Sequence, residues 1–523
     1  MVDVATLASA LETCLAAKDD PSVSRKMVTG AGWMIAWRFV SRVLGFGSTL
    51  ILARLLLPAD FGLLAMASTF SAAIDSISQL GIGDALVRRT ESGLRLHNTA
   101  FTIQVSRGIL TGGIIALGAP LASDWFGEPR LTAVLLFLAA GSVLASFENI
   151  GIVEYRRDMQ YGMQFKLMIL PRLAQVLTGI VGAIVLQSYW ALLFGGLAGK
   201  IVRVIMTYVL HPFRPRLSVS AWRDLVGFSA WTWAASIARL FWDRLDSFVL
   251  GPFLGARGLG VYLIGTEMAL LPVTELVEPA TGILFPGFVA ARNRGTDPVG
   301  LALQVISTLL LGTVPVAIAI SAAAGSVVLL LLGPRWADAQ PVIEIFAITC
   351  IVAPFSYVGS TLLVSGSHVR RDFQVMSVAA LVKGVLLYLS VQTGEMRVIV
   401  GCNVFCTAVE ALLFMVQLRA VGDLKVRQTL GSFGRIAVSG CAACLALVLT
   451  GFGWRSAPPD LLTAIVVGVQ VGLVTLSIYV AVQLLVWRAM GCPEGAERRV
   501  LEIVDHFLQP VLARLRRFRG SPG

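Results

Sequence analysis

The chain has 523 residues, 56% of them hydrophobic and only 14% charged, with a mean hydropathy of +0.79 and a net charge of +11. A soluble domain carries about 25% charged residues, so the composition places the chain in a membrane and excludes a soluble enzyme. The positive balance alone would fit a nucleic-acid binder, but the basic residues gather in short connections between apolar stretches, which excludes one.

The first residues, MVDVATLASALETCLAAKDD, have no basic head before an apolar run and do not read as a secretory signal. They predict a cytoplasmic N-terminal segment over 1–29. Apolar stretches of spanning length then follow at 30–55, 61–85, 98–119, 131–153, 165–187, 189–210, 226–251, 260–285, 299–323, 341–366, 373–391, 397–418, 434–452 and 461–487. The expected fold is an all-α polytopic membrane protein of about fourteen transmembrane helices. It comprises a six-helix lobe over 30–210, a cytoplasmic linker over 211–225, a second six-helix lobe over 226–418 and two extra C-terminal helices within 434–487. The tail, 488–523, spaces Val500, Ile503, Val504, Phe507 and Leu508 at helical intervals and ends in a basic cluster. It reads as an amphipathic helix on the anionic inner leaflet.

The connections alternate in charge. One side carries pairs and triplets such as Arg88, Arg89, Arg95; Arg156, Arg157, Lys166; Arg214, Arg216, Arg223; and Arg370, Arg371. The other side carries single cations such as Arg130, Arg257, Arg335 and Arg397. Short loops rich in arginine and lysine stay in the cytoplasm, and an even number of spans then puts both termini there. No connection is long enough for a catalytic domain.

The two lobes carry an internal repeat. At an offset of 198 residues, Trp33 aligns with Trp231, Leu52 with Leu250 and Gly62 with Gly260. The peptide Arg156-Arg157-Asp158-Met159-Gln160 returns as Arg370-Arg371-Asp372-Phe373-Gln374. Parallel repeats of this kind are a hallmark of transporters that work by alternating access around a polar cavity.

Charges inside the spans carry the chemistry. Arg38 and Arg42 are four residues apart on one face of the first span, with no acid on that helix. A charge at that depth costs about 2.5–3.5 kcal/mol or more and marks a functional site or a structural pair. With Arg107, Lys200, Arg244 and Lys383 they make a candidate site for a strongly anionic group, phosphate or pyrophosphate on a lipid carrier, because the arginine fork matches phosphate oxygens and keeps its charge. Arg239 and Asp243 can instead pair on their own helix, and Arg203 can snorkel to the cytoplasmic rim. Asp75, Glu267, Glu275 and Glu278 are candidates for ion coupling; steps of 8 and 11 residues give the three glutamates one broad face. Pro272, Pro279 and Pro286 interrupt the same stretch.

Other motifs are weak. Cys441 and Cys444 form a lone CxxC within an apolar span, and the histidines His97, His211, His368 and His506 form no ligand set, so no metal or other cofactor is expected. GGLAGKI at 195–201 lacks the first glycine and the final hydroxyl of a phosphate-binding loop, and GIGDAL at 81–86 fails a dinucleotide motif.

The opening W..AWRFVSRVLGF...LILARLLLPADFGLLAMASTF, followed by QLGIGDALVRR, resembles the oligosaccharide flippases (Wzx-like) of the multidrug/oligosaccharidyl-lipid/polysaccharide (MOP) exporter superfamily. The likeness covers most of 28–430, and LARLLLPADFGLLAMA at 52–67 is its most specific piece. It implies a transporter, not an enzyme, in the bacterial inner membrane, with inward and outward states and sugars linked to undecaprenyl pyrophosphate as cargo. It implies cavity cations, a role that falls on Arg38 and Arg42, and polysaccharide polymerase or export proteins as partners. The rival readings are a drug or cation-coupled exporter of the same superfamily, a membrane polysaccharide polymerase or ligase, and a passive scaffold for a synthesis complex.

Overall fold

The computed structural model describes residues 21–78, 93–158, 160–221, 230–419, 422, 426–455, 458–493 and 495–499, with backbone alone at 21–31, 34, 35, 156, 230–241 and 426–430. The expected N-terminal segment before residue 21, the GIGDAL peptide and the amphipathic tail after residue 499 lie outside the described residues. Among the described residues the structure is helical throughout. The first helices are α1 (Pro21–Leu55), α2 (Pro58–Ser78), α3 (Leu94–Phe126), α4 (Arg130–Ala145), the short α5 (Val153–Arg157), α6 (Tyr161–Leu186) and α7 (Trp190–Leu210). They are followed by α8 (Ala230–Ala269), α9 (Glu278–Asn293), α10 (Pro298–Ala322), the short α11 (Ala324–Val327) and α12 (Gln340–Phe346). The last are α13 (Thr349–Ser365), α14 (Val369–Val391), α15 (Met396–Arg419), α16 (Val426–Thr450) and α17 (Leu461–Ala489).

Over the described residues the predicted apolar stretches fall on these helices, α8 carrying parts of two of them. Nine are long and apolar enough to cross a membrane by length and composition, or ten if the pair Pro334–Phe346 and Thr349–Ser365, bent by 57°, is one span. α4 is apolar but has only 16 residues.

Local chemistry explains the boundaries. Pro58 opens α2, where a missing N–H costs nothing, and the Asp60 carboxylate accepts the N–H of Leu57 at 2.9 Å. The α8 helix holds a break that marks the expected boundary between the seventh and eighth spans. Gly255 sits at φ 63°, a left-handed conformation that glycine reaches without a Cβ penalty. Beyond Ala269 the chain passes through a π-turn at Val273–Val277 before α9 resumes. Pro272 precedes this turn, Pro279 lies in the first turn of α9 and Pro286 lies inside it.

The chain forms two compact units that divide between Gly260 and Val261, inside α8. In the first unit α6 and α7 pack on small residues. A Cβ at Gly195 would stand 2.8 Å from the Gln175 carbonyl oxygen, and one at Gly199 would stand 3.1 Å from that of Pro171. This is the close backbone approach of a Gly-x-x-x-Gly seam. The stretch 211–221 is laced to α3. Its N–H groups at Arg216, Ser218 and Ala221 donate to the side chains of Asn98, Thr102 and Thr99.

The second unit has its main apolar core where α10 packs against α13, α16 and α17, around Ile306, Leu310, Val314, Leu362, Leu447 and Val471. The two extra C-terminal helices are therefore part of this unit's core.

Candidate functional site

α1 carries Arg38 and Arg42, and both side chains are exposed. Its partner in packing is α6. The Trp33 and Phe165 rings meet at 5.0 Å between centroids. Further along, the Arg172 guanidinium of α6 lies against the backbone of α1, with Nη2 2.8 Å from where a Cβ on Gly45 would stand. Ser48 Oγ donates to the Gly45 carbonyl at 2.8 Å, and Arg172 Nη1 donates to Gln175 Oε1 at 3.1 Å. Gly45 is seven residues after Arg38, which leaves it about 20° away around the helix, and Arg42 is about 60° away. Three arginines therefore share one stripe of the α1–α6 pair. Arg42 makes a polar contact within the chain. Arg172 is not among the sequence candidates; the signal for it is a glycine on another helix.

A second group of charges forms inside the same unit. Asp75 on α2 lies in the field of Arg107 on α3 and Lys200 on α7. Lys200 in turn feels Asp75 and Glu148, and its Nζ lies 3.1 Å from where a Cβ on Gly141 of α4 would stand. Glu148 accepts Arg203 Nε at 2.7 Å. Gln104 Nε2 fixes the same corner by donating to the carbonyls of Ser146 at 2.9 Å and Glu148 at 3.0 Å. The sequence separates these residues, with Arg107 and Lys200 in an anion site and Asp75 in ion coupling. The structure puts all three in one cluster, and Arg203 is paired rather than simply extended to a rim.

The remaining candidates stand apart. Arg244 on α8 is exposed, and the side chain of Arg239, its expected neighbour in charge, is outside the described residues. Lys383 is buried on α14, with Glu410 equally buried on the neighbouring α15, and both are engaged within the chain. The shared face of Glu267, Glu275 and Glu278 does not hold. Glu267 is on α8, Glu275 is in the π-turn and Glu278 opens α9, so the regular 100° step is broken between them. All three are exposed, and Glu278 Oε1 accepts the Tyr357 hydroxyl at 3.2 Å.

Two further clusters were not visible in the sequence. The carboxylate of Glu154 on α5 is shared by two buried histidines, His97 Nε2 at 3.5 Å and His211 Nε2 at 3.2 Å. Among the described residues no group of histidine, cysteine or acid side chains could hold a metal ion. After α17, Glu497 accepts Arg435 of α16 in a bidentate pair at 2.6 and 3.0 Å, joined by Gln483 and Ser439. Burial pushes the Glu497 carboxyl up, but the bonds from Arg435 and Gln483 outweigh it and hold the group below the usual carboxylate range.

Residues 51–341, more than half of the chain, match the family model described as polysaccharide biosynthesis protein. The chain belongs to the polysaccharide biosynthesis protein family. Its relatives include the lipopolysaccharide biosynthesis protein WzxC of Escherichia coli, 24% identical over 68% of this chain and 73% of that one. The succinoglycan biosynthesis transport protein ExoT of Rhizobium meliloti is 26% identical over 63% of this chain and 67% of that one. Among solved structures, the lipid II flippase MurJ in an inward closed conformation superposes with a TM-score of 0.68, covering 88% of this chain and 99% of that chain at 13% identity. An inward-facing multidrug transporter of the MATE family gives 0.54 over 73% of this chain and 94% of that chain at 14% identity. The fold is thus that of these two transporters. The stretch matched to the polysaccharide biosynthesis family includes Asp75, Arg107, Arg172 and Lys200 and begins after Arg42.

Proposed function

We propose that this chain is a flippase that carries oligosaccharide linked to undecaprenyl pyrophosphate across the bacterial inner membrane by alternating access, for surface or exopolysaccharide synthesis. The observation that carries the proposal is the pair Arg38 and Arg42, exposed well inside the length of α1 in a protein of the polysaccharide biosynthesis family. A charged side chain within such a helix faces the protein interior or a water-filled cavity, and the arginine fork suits the oxygens of a phosphate headgroup. Both termini lie in the cytoplasm, on the side of the arginine-rich loops. Asp75, in the field of Arg107 and Lys200, takes the ion-coupling role; the broken face of Glu267, Glu275 and Glu278 makes them weaker candidates. Polymerase or export proteins would receive the cargo on the far side.

The test is export in a strain that depends on this chain. Arg38→Gln and Arg42→Gln, each shown to reach the membrane in normal amount, should lower polysaccharide export about tenfold or more, the loss expected for one charge-assisted bond to phosphate. Lipid-linked sugar should accumulate on the cytoplasmic side. Wild-type export from both variants would remove the headgroup site.

A further inference from the structure

The carboxylate of Glu154 stands between two buried imidazoles whose backbone partners assign their protons. A carbonyl only accepts, so His97 Nδ1, 3.4 Å from the Gly93 carbonyl oxygen, carries the hydrogen of the neutral ring and Nε2 is a bare acceptor. A backbone N–H only donates, so His211 Nδ1, which receives that of Phe213 at 3.2 Å, is the bare nitrogen of its ring, and its Nε2 donates to Glu154 Oε2 at 3.2 Å. His211 thus satisfies one carboxylate oxygen. His97 turns an acceptor toward the other, Oε1, at 3.5 Å, and among the described residues that buried nitrogen has no hydrogen-bond partner. A buried polar atom left so calls for a ligand.

One proton supplies what is missing. On His97 Nε2 it gives an imidazolium whose Nδ1–H keeps the Gly93 carbonyl and whose new N–H donates to Glu154 Oε1 in a charge-assisted bond. His211 cannot take it on these terms, because a proton on its Nδ1 would oppose the Phe213 N–H. Glu154, with 34% of its side chain exposed, gives the proton a way in. The other charged and titratable groups on the surrounding elements have partners of their own. Arg95 of α3 donates to Ser220, and the Tyr155 hydroxyl of α5 donates to the Leu210 carbonyl. Arg157 lies against Asp158. Arg214 donates to the carbonyls of His211 and Phe213 and lies over the Tyr208 ring of α7. The side chain of Arg156 is outside the described residues.

Position gives the proton a consequence. His97 is in the first turn of α3, and His211 begins the stretch 211–221 that follows α7. The Phe213 ring of that stretch lies 5.4 Å from the His97 ring. Without the proton, Glu154 holds only His211; with it, the carboxylate bridges the stretch to α3. We propose that the gap between His97 and Glu154 is a proton-binding site, and that filling it clasps residues 211–221 onto α3. The bond exists at low pH and is lost as the pH rises. It uses none of the intramembrane cations, so it stands apart from the headgroup reading.

The experiment uses the full chain in lipid nanodiscs. Amide hydrogen exchange over 211–221, corrected for the intrinsic effect of pH, should show about tenfold or more greater protection at about pH 5 than at about pH 8, the range in which an imidazole gains its charge. His97→Phe keeps a ring against Phe213 and has no proton to gain, so its protection should be flat across that range. Glu154→Gln should be flat as well and serves should the first variant not fold. Nitrogen-15 NMR of histidine-labelled protein, its four histidines assigned by single variants, should show His97 doubly protonated at the acid end while His211 keeps a bare Nδ1. Unchanged protection in the wild type, a step that persists in His97→Phe or Glu154→Gln, or a proton taken first by His211 would each overturn the inference.

Discussion

A lysine ammonium carried into a bilayer needs water or a counter-charge, and Lys200 has Asp75 and Glu148. Removing one member of such a group leaves the other uncompensated, which costs more than the pair itself contributes. Lys200→Met and Asp75→Asn should each destabilise the purified protein by about 2 kcal/mol, less than a fully buried pair because both side chains are only half-buried. The double variant should cost clearly less than the two added together, as thermal unfolding in detergent would report. Strict additivity would mean that the two charges do not act on each other. At this scale the sequence shows which residues are charged and not which of them meet. Arg38 and Arg42 stand out because their signal is local, two cations on one helix without an acid. Arg172, Lys200 and the histidines that share Glu154 owe their places to residues on other helices, such as Gly45 and Gly141, and no periodicity reports that.

Helices are the best-read objects in this chain, because a run of about 20 apolar residues is a composition signal that needs no partner. What the sequence leaves out is how they are joined and interrupted. The left-handed Gly255 and the π-turn at Val273–Val277 are single-residue backbone events, and the second of them undoes the predicted glutamate face. Arg435 is a further case. It lies within α16, is 4% exposed, and holds the start of the tail through Glu497. Because the folded Glu497 carboxyl lies below its ordinary value of 4.5, its contribution is complete above about pH 4.5 and is lost as the pH falls through the lowered value. Glu497→Gln should therefore raise amide hydrogen exchange at 495–499 about tenfold or more over the wild type at pH 7, with a cost of about 3 kcal/mol for the orphaned arginine. The ratio between variant and wild type should shrink on acidification below about pH 4.5. A ratio that stays constant across that range would mean that the ion pair does not anchor the segment.

The internal repeat has a physical expression at the scale of the molecule. Gly62 and Gly260, equivalent at the offset of 198, meet within the first unit where the start of α2 crosses α8 just beyond Gly255. A Cβ on Gly62 would stand 1.7 Å from the Ala256 carbonyl oxygen, and one on Gly260 would stand 1.9 Å from that of Pro58. Residues 58 and 256 are themselves separated by the same offset, so the crossing is self-complementary, each copy offering its glycine to the other's carbonyl, as at an isologous interface. The alignment of Trp33 with Trp231 and of Gly62 with Gly260 made the repeat legible; that the equivalent glycines touch is a three-dimensional fact no alignment carries. Backbone carbonyls cannot rotate out of the way as a side chain can, so the contact has no cheap relaxation. Gly62→Ala and Gly260→Ala should each cost more than about 3 kcal/mol. Each should reduce folded protein in the membrane to a small fraction of wild type, and to the same fraction, since each breaks the same crossing from opposite sides. Gly47→Ala, which would meet nothing within 4 Å, is the control and should leave the yield unchanged. Yields measured by fluorescence-detected gel filtration that fall for one glycine and not for the other would show the crossing to be asymmetric, and the repeat would then be a relation of sequence alone.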